Sequence, residues 1–168
     1  MARKKSKKAD AKTIHEAIEG IGDGFVNPYS ELSIEDMLGI LRERAARVDP
    51  GQWIYGRGYD DTLLREGRHP TGAELDSIST SHPIWIKHIS GHFGVANSVA
   101  RDLCTITAAT EDPPGGIVRR LPGGSEPAGL LEERAQHLVQ NKLPDFTDDE
   151  WAAALRRAGD IYIGRGVT

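Results

Sequence analysis

The sequence lacks the features that mark disulfide-stabilised, secreted or membrane-spanning proteins. Its single cysteine, Cys104, cannot form an internal disulfide, so a cytoplasmic location is the simplest expectation. No run comes near the ~18 consecutive apolar residues of a membrane-spanning helix, and we expect no membrane segment. The basic start of the chain is not followed by an apolar stretch, so it does not have the form of a secretory signal.

Aromatic residues are absent from the segment in which positive charge collects. Residues 1–12 hold six Lys or Arg and one Asp, although the whole chain has a net charge of −4. A basic tail on an acidic body could contact nucleic acid or anionic lipid, but this one offers no ring to stack on bases. We therefore expect it to be a solvated, disordered terminus. The acidic remainder of the chain argues against a nucleic-acid-binding domain.

What the sequence does contain is typical of one loop-rich globular domain. Its 168 residues are 38% apolar and include 19 glycines and 9 prolines, which suffices for a sizeable core. Ser33 followed by Asp36 has the form of a helix cap, and apolar residues at helical spacing continue to Val48.

Two segments have the composition and alternation of strands. Residues 52–60 are aromatic and β-branched before their glycines. Residues 83–89 place Ile84, Ile86 and His88 on one face of a second strand and Trp85, Lys87 and Ile89 on the other.

The remaining elements are predicted from caps, turns and periodicity. In chain order they are a short helix capped by Thr71, a helix starting at 95–103, a β-hairpin over 111–133, an amphipathic helix over 130–143 and a last helix opened by a capping box at 147–150.

Two histidines four residues apart, His88 and His92, raise the question of a metal site. That spacing can hold zinc on a helix, but Gly91 and Gly94 argue against a helix here. We therefore place His88 in the strand and His92 in the loop that follows it. There His92 either contacts a ligand or caps the following backbone, and the residues alone leave both alternatives open.

The acidic candidates have simple structural explanations when taken alone. Asp60 and Asp61 are adjacent, and adjacent residues rarely share a face, which argues against an acid–base pair. Glu132 and Glu133 are predicted to open a helix, where carboxylates complement the helix dipole. Cys104 lies in an apolar stretch and is expected to be buried.

The order of several separated motifs is more specific than any one of them. They are Gly58-Tyr59-Asp60, Pro70-Thr71, Leu75-Asp76, Gly91-His92, Asn97-Ser98, the Pro-Pro-Gly-Gly turn at 113–116 and Gly129-Leu130-Leu131-Glu132-Glu133. In this arrangement the chain from about residue 33 to 168 resembles the amidohydrolase family 3 (YtcJ-like) metal-dependent hydrolases.

The resemblance implies an α/β fold, namely part of a (β/α)8 barrel. Residues 13–168 would belong to that fold, with an inserted α+β subdomain at about 50–130 that walls the substrate pocket. Such enzymes carry one or two divalent metals, usually zinc, which activate water to attack an amide, ester or ring C–N bond of a small-molecule substrate.

The resemblance also implies roles for five residues. His92, Asp60 and Asn97 would lie near the substrate, and His15 and Glu133 would be metal ligands.

The sequence departs from the family pattern at its start. The family's first strand ends in His-x-His, whereas this chain offers Thr13 and His15. A barrel of this type needs about 250 residues. We therefore expect an incomplete barrel, weak or absent metal binding and no hydrolysis by this chain alone, and we assign no catalytic residue. The alternative is a non-catalytic binding module derived from the same fold, acting as a homo-oligomer or with the remainder of a barrel.

Overall fold

The computed structural model describes residues 32–145, 148–164 and 166. The predicted basic tail at 1–12, His15 and Thr147 of the last capping box lie outside the described residues.

The described chain forms five helices and five strands with a single 3-10 turn. In order they are α1 (Ile34–Ala45), β1 (Ile54–Tyr59), α2 (Gly72–Asp76), β2 (Ile84–His88), β3 (Phe93–Ala96), α3 (Ser98–Leu103), β4 (Gly116–Arg120), β5 (Pro127–Glu133), the 3-10 turn (Arg134–Gln136), α4 (His137–Gln140) and α5 (Asp148–Gly164).

The five strands form one mixed sheet in the order β1-β2-β3-β5-β4. β1 and β2 are parallel, while the β2–β3, β3–β5 and β4–β5 pairs are antiparallel. Among the described residues this is an open α/β sheet, and the predicted (β/α)8 barrel is not visible in it.

Helices cover both faces of the sheet, and β2 contributes to both layers. Ile84 and Ile86 face the layer under α1, where Leu38 and Leu41 pack against them. Trp85 faces the opposite layer, beneath α3 and α4. The predicted alternation of side chains along this strand is therefore confirmed.

The two short-range helix signals near the start of the fold are confirmed. Ser33 caps α1, since its side chain accepts the Asp36 N–H while the Asp36 carboxylate accepts the Ser33 N–H. Thr71 and Glu74 make the same reciprocal arrangement at α2. Each satisfies backbone donors that the first helical turn leaves unpaired.

The predicted helix start at Val95 is wrong, because residues 93–96 form β3. β3 pairs antiparallel with β2 and also with β5. Its second residue, Gly94, lies under the Trp85 ring, where an added Cβ would be 2.1 Å from a ring carbon. A strand of four residues with a central glycine gives little period-2 signal, so only the helix after Asn97 was visible in the sequence.

The predicted helix over 130–143 also begins too early. β5 continues to Glu133, and helical structure follows only from Arg134. Residues 130–133 are held in the sheet by pairing with β3 on one side and β4 on the other. Glu132 and Glu133 therefore end a strand and do not open a helix.

The last helix, α5, carries exposed apolar side chains. Leu155, Tyr162 and Ile163 are 69%, 59% and 70% exposed. No helix in the described part of the chain is long and apolar enough to cross a membrane.

Candidate functional site

Polar side chains collect at one end of the sheet. β1 and β2 are parallel and finish together at this end, where β3 begins and β5 finishes. The carboxyl ends of neighbouring parallel strands are a common location for binding sites in α/β folds.

A bulge in β1 determines which side chains meet there. Arg57 pairs with Lys87, but it is Tyr59 that lies opposite His88, so Gly58 is the extra residue. Gly58 has a φ of +91°, a conformation that favours glycine. The bulge sets the register at the ends of β1 and β2, so that Tyr59 contacts His88.

Asp60, Asp61 and His88 form what we call the carboxylate–histidine cluster. His88 Nε2 lies 3.0 Å from Asp61 Oδ1 and 3.8 Å from Asp60 Oδ1. One donor atom from each residue falls within 4.8 Å of the others. Carboxylate and imidazole groups together suit divalent cations, so the donor chemistry fits a metal ion.

Asp60 is held in place by the turn that follows it. Its Oδ1 accepts the Thr62 N–H at 3.0 Å and the Thr62 hydroxyl at 2.7 Å. The hydroxyl bond is the main reason that the pKa of Asp60 lies below its ordinary value. Asp60 is therefore a fixed anion beside His88.

His88 is fixed by a short turn and by its burial. Its Nδ1 lies 2.7 Å from Ser90 Oγ and 3.1 Å from the Ser90 backbone nitrogen. Its side chain is 9% exposed. Nε2 is buried, and no described residue makes a hydrogen bond to it with suitable geometry, although Asp61 Oδ1 is close.

Aromatic rings enclose the imidazole of His88. The ring centroids of Tyr59, His69 and Phe93 lie 5.1, 5.6 and 5.6 Å from it. The Tyr59 hydroxyl is 3.1 Å from His69 Nδ1. Burial raises the pKa of Tyr59 and lowers that of His69, which favours neutral rings around the cluster at neutral pH.

His92 and Glu133 form a second histidine–carboxylate pair at this end. His92 Nδ1 lies 3.0 Å from the Glu133 carboxylate, and the Glu133 N–H donates to the His92 carbonyl. The two side chains are 60% and 56% exposed. Glu133 has a φ of +49°, which is strained for a residue with a Cβ.

Asn97 lies at the opposite end of β3 and is fully buried. Its Oδ1 accepts the N–H groups of Ile84 and Ala100, each at 2.9 Å, and its Nδ2 donates to the His82 carbonyl. It caps α3 and joins that helix to β2. A direct contact with substrate would have to break these bonds, so the structure gives Asn97 a structural role.

The structure thus brings three of the four described candidates, Asp60, His92 and Glu133, to one end of the sheet and leaves Asn97 at the other. Sequence reasoning missed His88 and Asp61 as partners. The available signal was their position at the ends of two successive strands, which becomes informative only when those strands are recognised as parallel neighbours.

The sequence matches the amidohydrolase family over residues 24–168. It is 34% identical over 134 residues to the protein LONG AFTER FAR-RED 3 of Arabidopsis thaliana, covering 80% of this chain and 23% of that protein. It is 28% identical over 180 residues to the N-substituted formamide deformylase of Arthrobacter pascens, covering 95% and 33%. The putative amidohydrolase YtcJ of Bacillus subtilis (strain 168) is 28% identical over 128 residues, covering 74% and 24%.

Two solved structures share the fold. They are uncharacterised metal-dependent hydrolases from Pyrococcus furiosus and Pyrococcus horikoshii, with TM-scores of 0.52 and 0.54 and identities of 19% and 20%. The alignments cover 92% and 93% of this chain but 28% of each of those chains. The chain therefore spans about a quarter to a third of the length of the proteins it matches.

Proposed function

The chain belongs to the amidohydrolase family, and from that premise we propose that it forms the substrate-pocket wall of a metal-dependent hydrolase that cleaves C–N bonds. The family match over residues 24–168 is the observation that carries this proposal. The similarity to a deformylase of N-substituted formamides supports an amide as the substrate class. The catalytic unit would be a (β/α)8 barrel of which this chain is one part.

A divalent metal, which we propose to be zinc, is the cofactor that the family implies. When bound, such a cation polarises a substrate carbonyl and makes water nucleophilic near neutral pH. Of the predicted ligands, Glu133 presents its carboxylate at the exposed end of β5, while His15 lies outside the described residues. The carboxylate–histidine cluster also has suitable donor atoms.

The residues of this chain would bind and orient the amide. The Glu133 carboxylate accepts from Nδ1 of His92, which leaves Nε2 of the neutral, exposed ring available to accept a hydrogen bond from a substrate N–H. The fixed carboxylate of Asp60 adds an acceptor for a substrate N–H. The strain at Glu133 supports a functional reason for its position.

Binding of an N-substituted formamide to the ¹⁵N-labelled chain tests this role. We expect amide shifts to change around Asp60, His92 and Glu133, and His92→Ala to weaken binding by about tenfold, as for a lost hydrogen bond of ~1.4 kcal/mol. His137→Ala, which removes another exposed histidine, should bind like the wild type. Shifts confined to other parts of the chain would overturn the proposal.

Hydrolysis by the chain alone is expected to be absent, since it spans only part of the enzymes it matches. Formate release from the same amide is the measurement. Turnover above buffer that a chelator abolishes would show that this chain alone is a sufficient catalyst.

A non-catalytic interaction module is the second candidate, and the exposed apolar residues of α5 favour it. Leu155, Tyr162 and Ile163 would be covered by a second copy of the chain or by the remainder of a barrel. Light scattering over a range of concentrations distinguishes the two. A dimer that Leu155→Glu dissociates would favour the interaction module.

A further inference from the structure

We propose that Asp60, Asp61 and His88 bind one divalent transition-metal cation, such as Zn²⁺ or Mn²⁺. This site differs from the predicted pair of His15 and Glu133. It rests on the geometry of the described residues and does not require that the protein be a hydrolase.

The separations within the cluster suit a cation. Zinc binds nitrogen and oxygen ligands at ~2.0–2.2 Å, which places neighbouring ligand atoms about 3.4 Å apart in a tetrahedral site. His88 Nε2 lies 3.0 Å from Asp61 Oδ1 and 3.8 Å from Asp60 Oδ1, on either side of that value. Three protein ligands would leave coordination positions for water or substrate.

The state of His88 Nε2 is the independent observation that points to a ligand. The side chain is nine-tenths buried, and Nε2 forms no well-aligned hydrogen bond with any described residue. A buried polar atom without a partner costs free energy, so such atoms are rare in folded proteins. The Asp61 carboxylate at 3.0 Å offsets part of that cost, and a cation between the two groups would satisfy Nε2 directly.

Ser90 can set the tautomer that metal binding needs. Its hydroxyl oxygen lies 2.7 Å from His88 Nδ1 and can accept a hydrogen bond from Nδ1–H, the tautomer in which Nε2 carries the lone pair. Without a cation, the Ser90 backbone N–H at 3.1 Å favours the other tautomer, with the proton on Nε2 beside the carboxylates. Metal-bound histidines commonly donate their second ring N–H in this way.

The ligands are also held before any cation arrives. The Thr62 turn fixes Asp60, and the rings of Tyr59, His69 and Phe93 confine the imidazole of His88. A preorganised set loses little side-chain freedom on binding, which favours affinity.

Metal binding to the full chain tests the proposal. After removal of metals by chelation, Zn²⁺ is titrated by calorimetry and Co²⁺ by its visible absorption. We expect one equivalent of each to bind. Asp61→Asn should weaken binding by more than tenfold, and Ser90→Ala, which leaves the three ligands in place, by about tenfold. Asp102→Asn, which makes the same change at an exposed carboxylate of α3, is the matched control and should bind normally.

The thermal midpoints of the metal-free variants verify that each is folded. No saturable binding by the wild type, or equal loss in Asp61→Asn and Asp102→Asn, would overturn the site. Amide binding and metal binding are measured separately, so failure of this site would leave the proposed pocket role in place. Failure of the pocket role would likewise leave the metal site in place.

Discussion

The two ends of β3 are both polar, but they use their polar groups in opposite ways. Beyond its last residue, Asn97 is fully buried and makes three strong hydrogen bonds to backbone groups. Before its first residue, His92 is exposed, and the neighbouring His88 keeps a buried nitrogen to which no described residue makes a well-aligned hydrogen bond. The polar groups at one end are used up in hydrogen bonds within the fold. Those at the other end include atoms that could still bind a ligand.

In this sheet, the difference between satisfied and unsatisfied polar groups indicates which end is the candidate binding site. Polar groups that are buried and satisfied contribute to stability and to a unique fold. Local departures from ideal structure, such as the positive φ of Glu133, are common where binding or chemistry requires them. Substitutions at the two ends should therefore separate stability from binding.

The largest effect is expected from Asn97→Ala. The substitution removes the cap of α3 and leaves the buried Ile84 N–H and His82 carbonyl without partners. We expect a loss of about 3 kcal/mol in the free energy of unfolding, from the cap and the unsatisfied groups together. Urea unfolding measures it, and Asn141→Ala at an exposed position should change stability by less than ~0.5 kcal/mol. If Asn97→Ala changes the free energy of unfolding only slightly, the two ends of β3 do not differ in how much their polar groups stabilise the fold.

Gly94→Ala in the middle of β3 should perturb both ends together. Its Cβ would lie 2.1 Å from the Trp85 ring, which is itself fully buried. Overpacking of this kind costs about 2 kcal/mol. The matched control is Gly39→Ala in α1, where nothing lies within 4 Å of the added Cβ. There we expect a gain of about 0.5–1 kcal/mol from helix propensity. Equal midpoints in urea for the two variants would contradict the packing argument.

Glu133→Gly should raise stability, in contrast to the two changes above. Glycine adopts a φ of +49° without strain, whereas Glu133→Gln keeps the strained Cβ and loses only the charge. We expect the free energy of unfolding of the glycine variant to exceed that of the glutamine variant by about 1 kcal/mol. If the glutamine variant is the more stable of the two, the positive φ of Glu133 does not store strain.

The smallest effect is expected from His92→Ala. The side chain is 60% exposed, and its pairing with Glu133 is a surface interaction. The free energy of unfolding should change by less than about 0.5 kcal/mol, with an unchanged dependence on urea. A loss above about 1 kcal/mol would mean that His92 serves the fold in the same way as Asn97.

Most helix caps and the strands with strong local signals could be predicted from the sequence. Ser33 and Thr71 cap helices as expected because capping depends on residues three apart. The family followed from motifs that keep their order, whereas the pairing of His92 with Glu133 was not predicted from them. β3 was not predicted, because the strands that pair with it lie outside its four residues. The helical periodicity over 130–143 was misleading at its start, because sheet pairing holds residues 130–133 in β5.

The cluster could not be derived from local pattern, because its parts lie 27 residues apart in the chain. Asp61 and His88 meet only because β1 and β2 run parallel and Gly58 bulges the first of them. Adjacent residues usually point to opposite sides, yet the turn after the bulge lets Asp60 and Asp61 both approach His88. The pairing of strands in the folded protein determines which residues meet at such a site, and their spacing in the sequence does not.

The parallel pairing of β1 with β2 also has a kinetic consequence. The loops within the β2–β3 and β4–β5 hairpins are short, whereas residues 60–83 separate β1 from β2. Closing this loop costs more chain entropy than closing a hairpin, so we expect the β2–β3 hairpin to form before β1 pairs with β2. The bulge at Gly58 lies in this later pairing of β1 with β2. Amide hydrogen exchange should therefore be faster in β1 than in β3, and a cation bridging Asp61 to His88 would slow the opening of β1 selectively.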